Sequence, residues 1–155
     1  MFRRVSMFLP ALLAATLSAV ACSRAAGPTG SPSNPSATGG GNVTVSVQQW
    51  SVTPSTSTVP TGLVSFAVTD KGTIKHEFVV LRTDTPASEI PIESFEGEKD
   101  RINEAAAGTN VGETGDMRPG ATKTITIDLK PGHYVLFCNL PGHYGMGMHT
   151  DFTVT

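Results

Sequence analysis

The sequence predicts an all-β domain, an antiparallel Greek-key β-sandwich over residues 42–155 with one short helical excursion. Apolar and polar residues alternate with a period of two in several segments of this region, as they do in half-buried strands. Glycine and proline separate about seven or eight such segments, a pattern typical of sandwiches built from short strands. A length of 155 residues and a hydrophobic content of 39% suit one compact domain better than two.

Four segments are predicted to be strands with one buried and one solvated face. In 43–47, 64–69 and 124–129, a large apolar residue alternates with threonine, serine, alanine or aspartate. The C-terminal segment 150–155 repeats this alternation, and a Pro-Gly turn follows the third segment.

Two other segments, 74–81 and 134–138, are apolar on both faces, which predicts central strands or strands covered by loops. The interval 83–120 breaks the pattern, because it is rich in acidic residues, proline and glycine. Only 98–107 contains good helix formers, so we expect a short helix in a long loop. Its charges predict a solvated surface, and we assign it no chemistry.

The N-terminal residues 1–21 are predicted to be a cleaved signal peptide. Arg3 and Arg4 precede an apolar run over 5–20, and an Ala-x-Ala sequence ends at residue 21. The run contains proline, serine and threonine, so it is a weak candidate for a permanent membrane span. The sequence therefore predicts an exported protein, periplasmic or otherwise extracytoplasmic.

Cys22 is a candidate lipidation site, since residues 17–22 resemble a bacterial lipobox. The match is imperfect, because Ala19 stands where lipoboxes usually have leucine, and ordinary signal peptidase would also accept this sequence. Residues 22–41 are almost entirely Gly, Pro, Ser, Thr, Ala and Asn, which predicts a flexible tether. A tether after the cysteine favours a membrane-anchored lipoprotein, although a plain disordered N-terminus has the same composition.

The charge of the chain excludes nucleic acid as a partner. The formal net charge is −2, and removal of the leader with its two arginines leaves nine basic against 13 acidic side chains, a net charge near −4. A nucleic-acid-binding domain would instead carry a basic patch.

One short segment near the C-terminus combines three soft metal ligands in a C-x4-H-x4-M pattern, namely Cys138, His143 and Met148. Cys138 has no cysteine partner within the predicted domain, which is unusual for an exported protein unless the thiol binds a metal. Thiolate, imidazole and thioether together suit copper, because trigonal His2Cys ligation with a weak axial methionine serves both oxidation states.

His76 is the candidate for the second histidine ligand. It shares one face of its predicted strand with Phe78 and Val80, so its imidazole is expected to point inward. A lone inward histidine is more often a hydrogen-bonded core residue. Together with the C-terminal pattern, ligation becomes the better interpretation.

These residues resemble the cupredoxin family, the small blue copper proteins of the plastocyanin, azurin and sulfocyanin type. The resemblance covers about 43–155 and rests on HEFVVL (76–81), PGHYVLFCNLPGHY (131–144) and Gly147-Met148. It implies an eight-stranded Greek-key sandwich with one type 1 copper ion near one end, held by His76, Cys138, His143 and Met148. Plastocyanin-like spacing favours Met148 as the axial ligand, with Met146 as the competitor.

The resemblance also implies how the protein works. His143 should be the ligand nearest solvent, and Leu140, Pro141, Tyr144 and Met146 should surround it as an apolar surface for redox partners. Glu77 is a departure, since many family members have asparagine there, whose side chain ties this strand to the ligand loop.

We therefore expect a monomeric one-electron carrier that exchanges electrons with protein partners. A copper-binding module for sequestration or delivery is the alternative, and a metal-free interaction domain is a third. An enzyme is not expected, because no further Cys, His or carboxylate cluster and no G-x-S-x-G motif accompanies the site.

Overall fold

A computed structural model of the chain describes residues 39–95 and 97–155. The predicted signal peptide (1–21), Cys22 and all but the last three residues of the predicted tether (22–41) lie outside the described residues. Within the part of the chain that is described, no helix has both the length and the apolar character needed to cross a membrane.

Eleven strands form nearly all of the regular structure of the described residues, with one 3-10 helix and one α-helix. The strands are β1 (Gly41–Gln48), β2 (Ser51–Pro54), β3 (Thr58–Val59), β4 (Gly62–Asp70), β5 (Val79–Arg82), β6 (Glu93–Phe95), β7 (Glu98–Arg101), β8 (Thr109–Glu113), β9 (Thr122–Leu129), β10 (Gly132–Phe137) and β11 (His149–Val154). The 3-10 helix is Ala87–Glu89 and α1 is Glu104–Ala107.

The strands form a four-stranded sheet with the order β2-β1-β4-β9 and a five-stranded sheet with the order β3-β11-β10-β5-β8. A separate hairpin joins β6 and β7. The predicted all-β sandwich is confirmed, and most neighbouring strands are antiparallel. Two pairs are parallel, β1 with β4 and β3 with β11, a feature that alternation of residues along single strands does not predict.

The inner faces of the two large sheets pack together into one apolar core. From β1 and β4 the core receives the inward residues that the alternating pattern predicts, which are Val43, Val45, Val47, Val64, Phe66 and Val68. The second sheet contributes Val80, Tyr134, Leu136 and Phe152, and Phe66 contacts Phe152 edge to face with 5.7 Å between ring centroids. Aromatic pairs of this geometry add to the free energy gained from burial.

The outer face of the second sheet is also covered, as the sequence predicts for segments that are apolar on both faces. Val79, Leu81, Val135 and Phe137 point away from the main core and are fully buried. They pack against Ala87, Ile90, Ile102 and Tyr144 in a second apolar cluster. The interval 83–107 is therefore a packed cover and not merely a solvated surface, which explains why β5 and β10 are apolar on both faces.

The helix expected within 98–107 is shorter than that range. Its first residues form β7, and only Glu104–Ala107 is helical. Asn103 is the N-cap, because its side chain accepts a hydrogen bond from the Ala106 amide, and Gly108 ends the helix. Helix propensity is weak over so few residues, so pairing with β6 prevails in the first half.

The strand expected over 74–81 is also shorter, since it pairs regularly only from Val79. Ile74 is exposed, and His76 lies in an isolated bridge with Met117. The first residue pair between β5 and β10 joins Val79 to Phe137. The residues just before β5 and just after β10 therefore meet at one end of the sandwich.

Candidate metal centre

The segment 138–148 is a compact loop between β10 and β11. The Cys138 amide donates to the carbonyl of Met148 (3.0 Å), which closes the loop at its base. Inside it, the His143 amide donates to Leu140 (2.9 Å) and the Met148 amide donates to the carbonyl of His143 (3.2 Å). Backbone hydrogen bonds thus hold Cys138, His143 and Met148 at fixed positions on one loop.

Cys138 and His143 are in direct contact. Sγ of Cys138 lies 3.3 Å from Nδ1 of His143. The cysteine is fully buried, and the histidine is 9% exposed. Thiol and imidazole therefore face each other in a site that water barely reaches.

Burial sets the protonation of both groups. It raises the pKa of the Cys138 thiol to about 11, because a thiolate is poorly solvated there, although the amides of Glu77 and Leu140 act in the opposite direction. Burial also lowers the pKa of His143, and the nearby His76 and Lys75 lower it further. Without a metal, the pair is a neutral thiol and a neutral imidazole, and a bound cation would favour the thiolate.

His76 is fully buried beside this pair. The centroids of the His76 and His143 rings are 5.2 Å apart. Two backbone hydrogen bonds with Met117 hold the histidine, one from the His76 amide (3.1 Å) and one to its carbonyl (2.7 Å). Nδ1 of His76 lies 2.9 Å from Oδ1 of Asp70, and Nε2 has no hydrogen-bond partner.

Glu77 links the segment of His76 to the ligand loop in two ways. Its amide donates to Sγ of Cys138 (3.4 Å), and its Oε1 accepts from the amide of Asn139 (2.8 Å). Glu77 therefore ties the segment of His76 to the ligand loop, as asparagine does at this position in many members of the family that the sequence resembles. Burial raises the pKa of the Glu77 carboxyl group, and the hydrogen bond from Asn139 opposes this shift.

Asn139 fixes the other side of the loop, a role that the sequence did not reveal. Its side chain accepts from the amide of Ile102 (2.9 Å) and donates to the carbonyl of Ile102 (3.1 Å) and to Glu104 (2.9 Å). Because the buried side-chain amide makes all three hydrogen bonds only in one orientation, these partners fix the position of Asn139. The packed cover thus holds the residue that follows Cys138.

The two methionines of the loop lie in different environments. Met148 is fully buried and belongs to the same apolar cluster as Cys138, whereas Met146 is 56% exposed.

The surface over His143 differs from the one expected. Tyr144 is buried in the second apolar cluster, where its hydroxyl donates to the carbonyl of Ala87 (2.5 Å), so it is not part of an exposed patch. Pro141 and Met146 are exposed as expected. Trp50 contacts the ring of His143 edge to face, with 5.2 Å between ring centroids. The tryptophan lies in the turn after β1, where strand periodicity gives no signal of proximity to the C-terminal loop.

The remaining histidines, His133 and His149, are half-buried and have structural partners. His133 contacts the carbonyl of Thr83 through Nδ1 (2.7 Å) and Asp151 through Nε2 (2.9 Å). His149 stacks on the ring of Tyr144 with 4.5 Å between centroids.

The buried groups near Cys138 fit copper by their chemistry. No three or more His, Cys, Asp and Glu side chains of the described residues form a ready metal-binding group. The thiol of Cys138 contacts the imidazole of His143, the ring of His76 lies beside that imidazole, and the thioether of Met148 is buried in the same apolar cluster as Cys138. Thiolate, imidazole and thioether are the donor types that copper prefers. The unpartnered Nε2 of His76 is a further sign, because buried nitrogens are rarely left without a partner.

Comparison with known proteins agrees with this chemistry. Residues 53–155 match the family model of copper binding proteins of the plastocyanin/azurin family. That match contains all four predicted ligands. A search of curated proteins found no significant match.

Solved structures share the fold. Reduced auracyanin from the photosynthetic bacterium Roseiflexus castenholzii has a TM-score of 0.55 and 24% identity, and the alignment covers 77% of this chain and 98% of auracyanin. Rusticyanin from Thiobacillus ferrooxidans also has a TM-score of 0.55, with 18% identity over 74% of this chain and 76% of rusticyanin. Auracyanin B has a TM-score of 0.52 and 17% identity over 79% of this chain and 92% of its own.

The raised pKa of Cys138 predicts low thiol reactivity in the metal-free protein. At pH 8, a pKa of about 11 in place of 9.0 reduces the thiolate fraction about 100-fold. In a Cys22→Ser chain, where Cys138 is the only thiol, an aromatic disulfide reagent should react at least 100-fold more slowly with the folded than with the denatured protein. The folded rate should rise with pH towards 11. Equal rates at pH 8 would contradict the burial of the thiol.

Proposed function

The chain belongs to the plastocyanin/azurin family of copper-binding proteins, and on this premise we propose that it is an exported one-electron carrier. Its single type 1 copper ion is held in this proposal by His76, Cys138, His143 and Met148. The observation that carries the proposal is the 3.3 Å contact between Cys138 and His143, with the imidazole of His76 packed beside it in a dry site.

Each proposed ligand has a distinct part. Copper supplies a centre that alternates between Cu(II) and Cu(I). Cys138 would hold the ion through its thiolate, His76 and His143 through neutral imidazoles, and the buried Met148 through a weaker thioether. Met148 is preferred to Met146 because the exposed side chain of Met146 would have to leave the surface.

The protein around the ligands contributes rigidity. The ligand loop is closed by its own backbone, tied to the segment of His76 by Glu77 and tied to the packed cover by Asn139. Ligands held from three sides keep similar positions in both oxidation states, so little reorganisation accompanies each electron. Fast outer-sphere transfer is the function that such a scaffold suits.

Electrons would enter and leave at the His143 end of the site. Trp50, Pro141 and Met146 are exposed and lie on the turn and loop that surround this histidine. We propose that redox proteins dock on this small apolar surface, through a transient interface at the low end of the usual size range. The carrier itself is proposed to act as a monomer.

Copper sequestration or delivery is the competing function. The burial of His76, Cys138 and Met148, together with the 9% exposure of His143, argues against it, because an incoming chelator has little access to the donors. Measurement of the rate of copper exchange distinguishes an electron carrier from a copper-delivery protein. Rapid hand-off of Cu(I) to a competitor together with negligible electron self-exchange would favour delivery.

We propose that the carrier is held at the outer surface of a membrane by a lipid on Cys22, after cleavage of residues 1–21. Support comes from the lipobox-like sequence and the tether composition of 22–41. Mass spectrometry of the mature protein should find an N-terminal Cys22 with attached acyl chains. An unmodified Cys22 would restrict the proposal to a freely exported protein.

The copper-loaded protein should be intensely blue or green and should give a reversible one-electron wave in voltammetry. Copper–thiolate charge transfer produces this colour, so Cys138→Ser should abolish it, whereas the matched variant Cys22→Ser should keep both colour and wave. A loaded wild-type protein with neither property would refute the proposed function. An unchanged spectrum in Cys138→Ser would refute the ligand set.

The two methionines provide a test of the axial position. Met148→Leu should keep copper and colour but raise the reduction potential, because loss of a weak thioether donor destabilises Cu(II). Met146→Leu is the matched control and should leave spectrum and potential unchanged. The reverse result would assign the axial position to Met146.

A further inference from the structure

Trp50 covers one side of the proposed ligand His143, although it belongs neither to the ligand loop nor to the segment of His76. It lies in the turn between β1 and β2 and is the only tryptophan of the chain. Its ring meets that of His143 nearly at right angles, with an interplanar angle of 77° and 5.2 Å between centroids. The side chain is 39% exposed, so it packs on the imidazole and still reaches the surface.

The turn that carries Trp50 is fixed from two sides. The side chain of Gln49 donates to Oγ1 of Thr73 (2.6 Å) and accepts from the Thr73 amide (3.1 Å). On the other side, a Cβ atom added to Gly147 would lie 3.4 Å from the carbonyl oxygen of Trp50, so the turn lies directly against the ligand loop. The backbone of Trp50 is therefore held next to His143.

His143 is the point at which the proposed site comes nearest to solvent. It is 9% exposed, whereas the other three proposed ligands have no exposed surface. Since Sγ of Cys138 lies 3.3 Å from Nδ1 of His143, a molecule from solution reaches the sulfur most directly past this imidazole. Trp50 occupies part of that approach. Access to the donors thus depends on how firmly the indole and the imidazole stay together.

Electron transfer and metal exchange place different demands on the indole of Trp50. Outer-sphere electron transfer leaves the ligands in place, and the indole provides atoms in contact from the imidazole to the surface. A chelator or an incoming water molecule instead needs space beside the ligand. In a closely packed site that space is available only when a side chain moves aside.

We propose that Trp50 is a positioning residue that holds the ring of His143 and closes the copper site against ligand exchange. This role rests on the proposed function, and specifically on His143 as a copper ligand. An electron carrier has to retain its copper, and Trp50 is the side chain that ensures it here. An edge-to-face aromatic contact favours the packed state by up to about tenfold. Loss of the indole therefore increases the population in which His143 moves aside and the donors become accessible.

The first test uses the metal-free, full-length chain with Cys22→Ser, in which Cys138 is the only thiol. An aromatic disulfide reagent should modify Cys138 about tenfold faster after Trp50→Ala, because the thiol is exposed more often. Trp50→Phe keeps an aromatic ring and should restore the slow rate of the parent chain.

Leu63→Ala is the matched control for this test. It also removes an exposed apolar side chain, near the end of β4 that lies away from His76, and it should leave the rate unchanged. Two results would overturn the proposal. A Trp50→Ala chain that reacts at the parent rate would show that the indole does not limit access. An equal acceleration in Leu63→Ala would attribute the effect to a general loss of stability.

The copper-loaded proteins provide the second measurement. Trp50→Ala should keep its colour, since no proposed ligand is changed, but should lose copper to an external chelator about tenfold faster than wild type. Trp50→Phe should again be slow. A blue Trp50→Ala protein with the wild-type rate of copper loss would overturn the proposal. Failure of the copper carrier proposal would appear differently, as a wild-type protein without colour or redox wave, and the rates of thiol modification would still decide whether Trp50 closes the site.

Discussion

Two hydrogen bonds of Glu77 are the constraint on which the metal centre depends. Its amide donates to the sulfur of Cys138, and its carboxylate accepts from the amide of Asn139, 62 residues along the chain. Because His76 precedes Glu77 directly, these bonds bring the remote imidazole to the C-terminal loop without any help from a metal. The adjacent pairing of Val79 with Phe137 extends the same register into the second sheet. The site is therefore a product of strand pairing that the whole sandwich stabilises.

The free-energy cost of forming the metal centre comes mainly from the burial of polar groups. A neutral thiol, two imidazoles, the carboxylate of Asp70 and the amide of Asn139 all lie in surroundings that favour apolar groups. Asn139 satisfies its hydrogen bonds within the protein, whereas His76 and Asp70 each keep one buried atom without a partner. Apolar packing on both faces of β5 and β10 supplies the stability that allows this arrangement. The apolar packing that buries Cys138, and so raises the pKa of its thiol, also restricts the movement of the donors.

Much of the fold could be predicted from the sequence, because β1, β4, β9 and β11 alternate with a clear period of two and are half-buried as alternation requires. The loop pattern identified Cys138, His143 and Met148 as candidates, and the structure places them together, although their roles as ligands stay a prediction. The remaining features depend on contacts between distant segments. Local sequence does not predict three features that depend on long-range packing, namely the burial of Tyr144, the contact of Trp50 with His143 and the carboxylate of Asp70 beside His76. Parallel pairing of β1 with β4 is likewise a property of topology and not of either strand.

The hydrogen bond from the hydroxyl of Tyr144 to the carbonyl of Ala87 attaches the ligand loop to a segment far away in the sequence. With the bonds of Asn139 to Ile102, it fastens the loop to the segment that covers the second sheet. Grafting 138–148 onto a related scaffold would transfer the donors but not the backbone groups of Ala87 and Ile102 that hold the loop in place. The transferable module is larger, and it includes the cover over 83–107 as well as the loop.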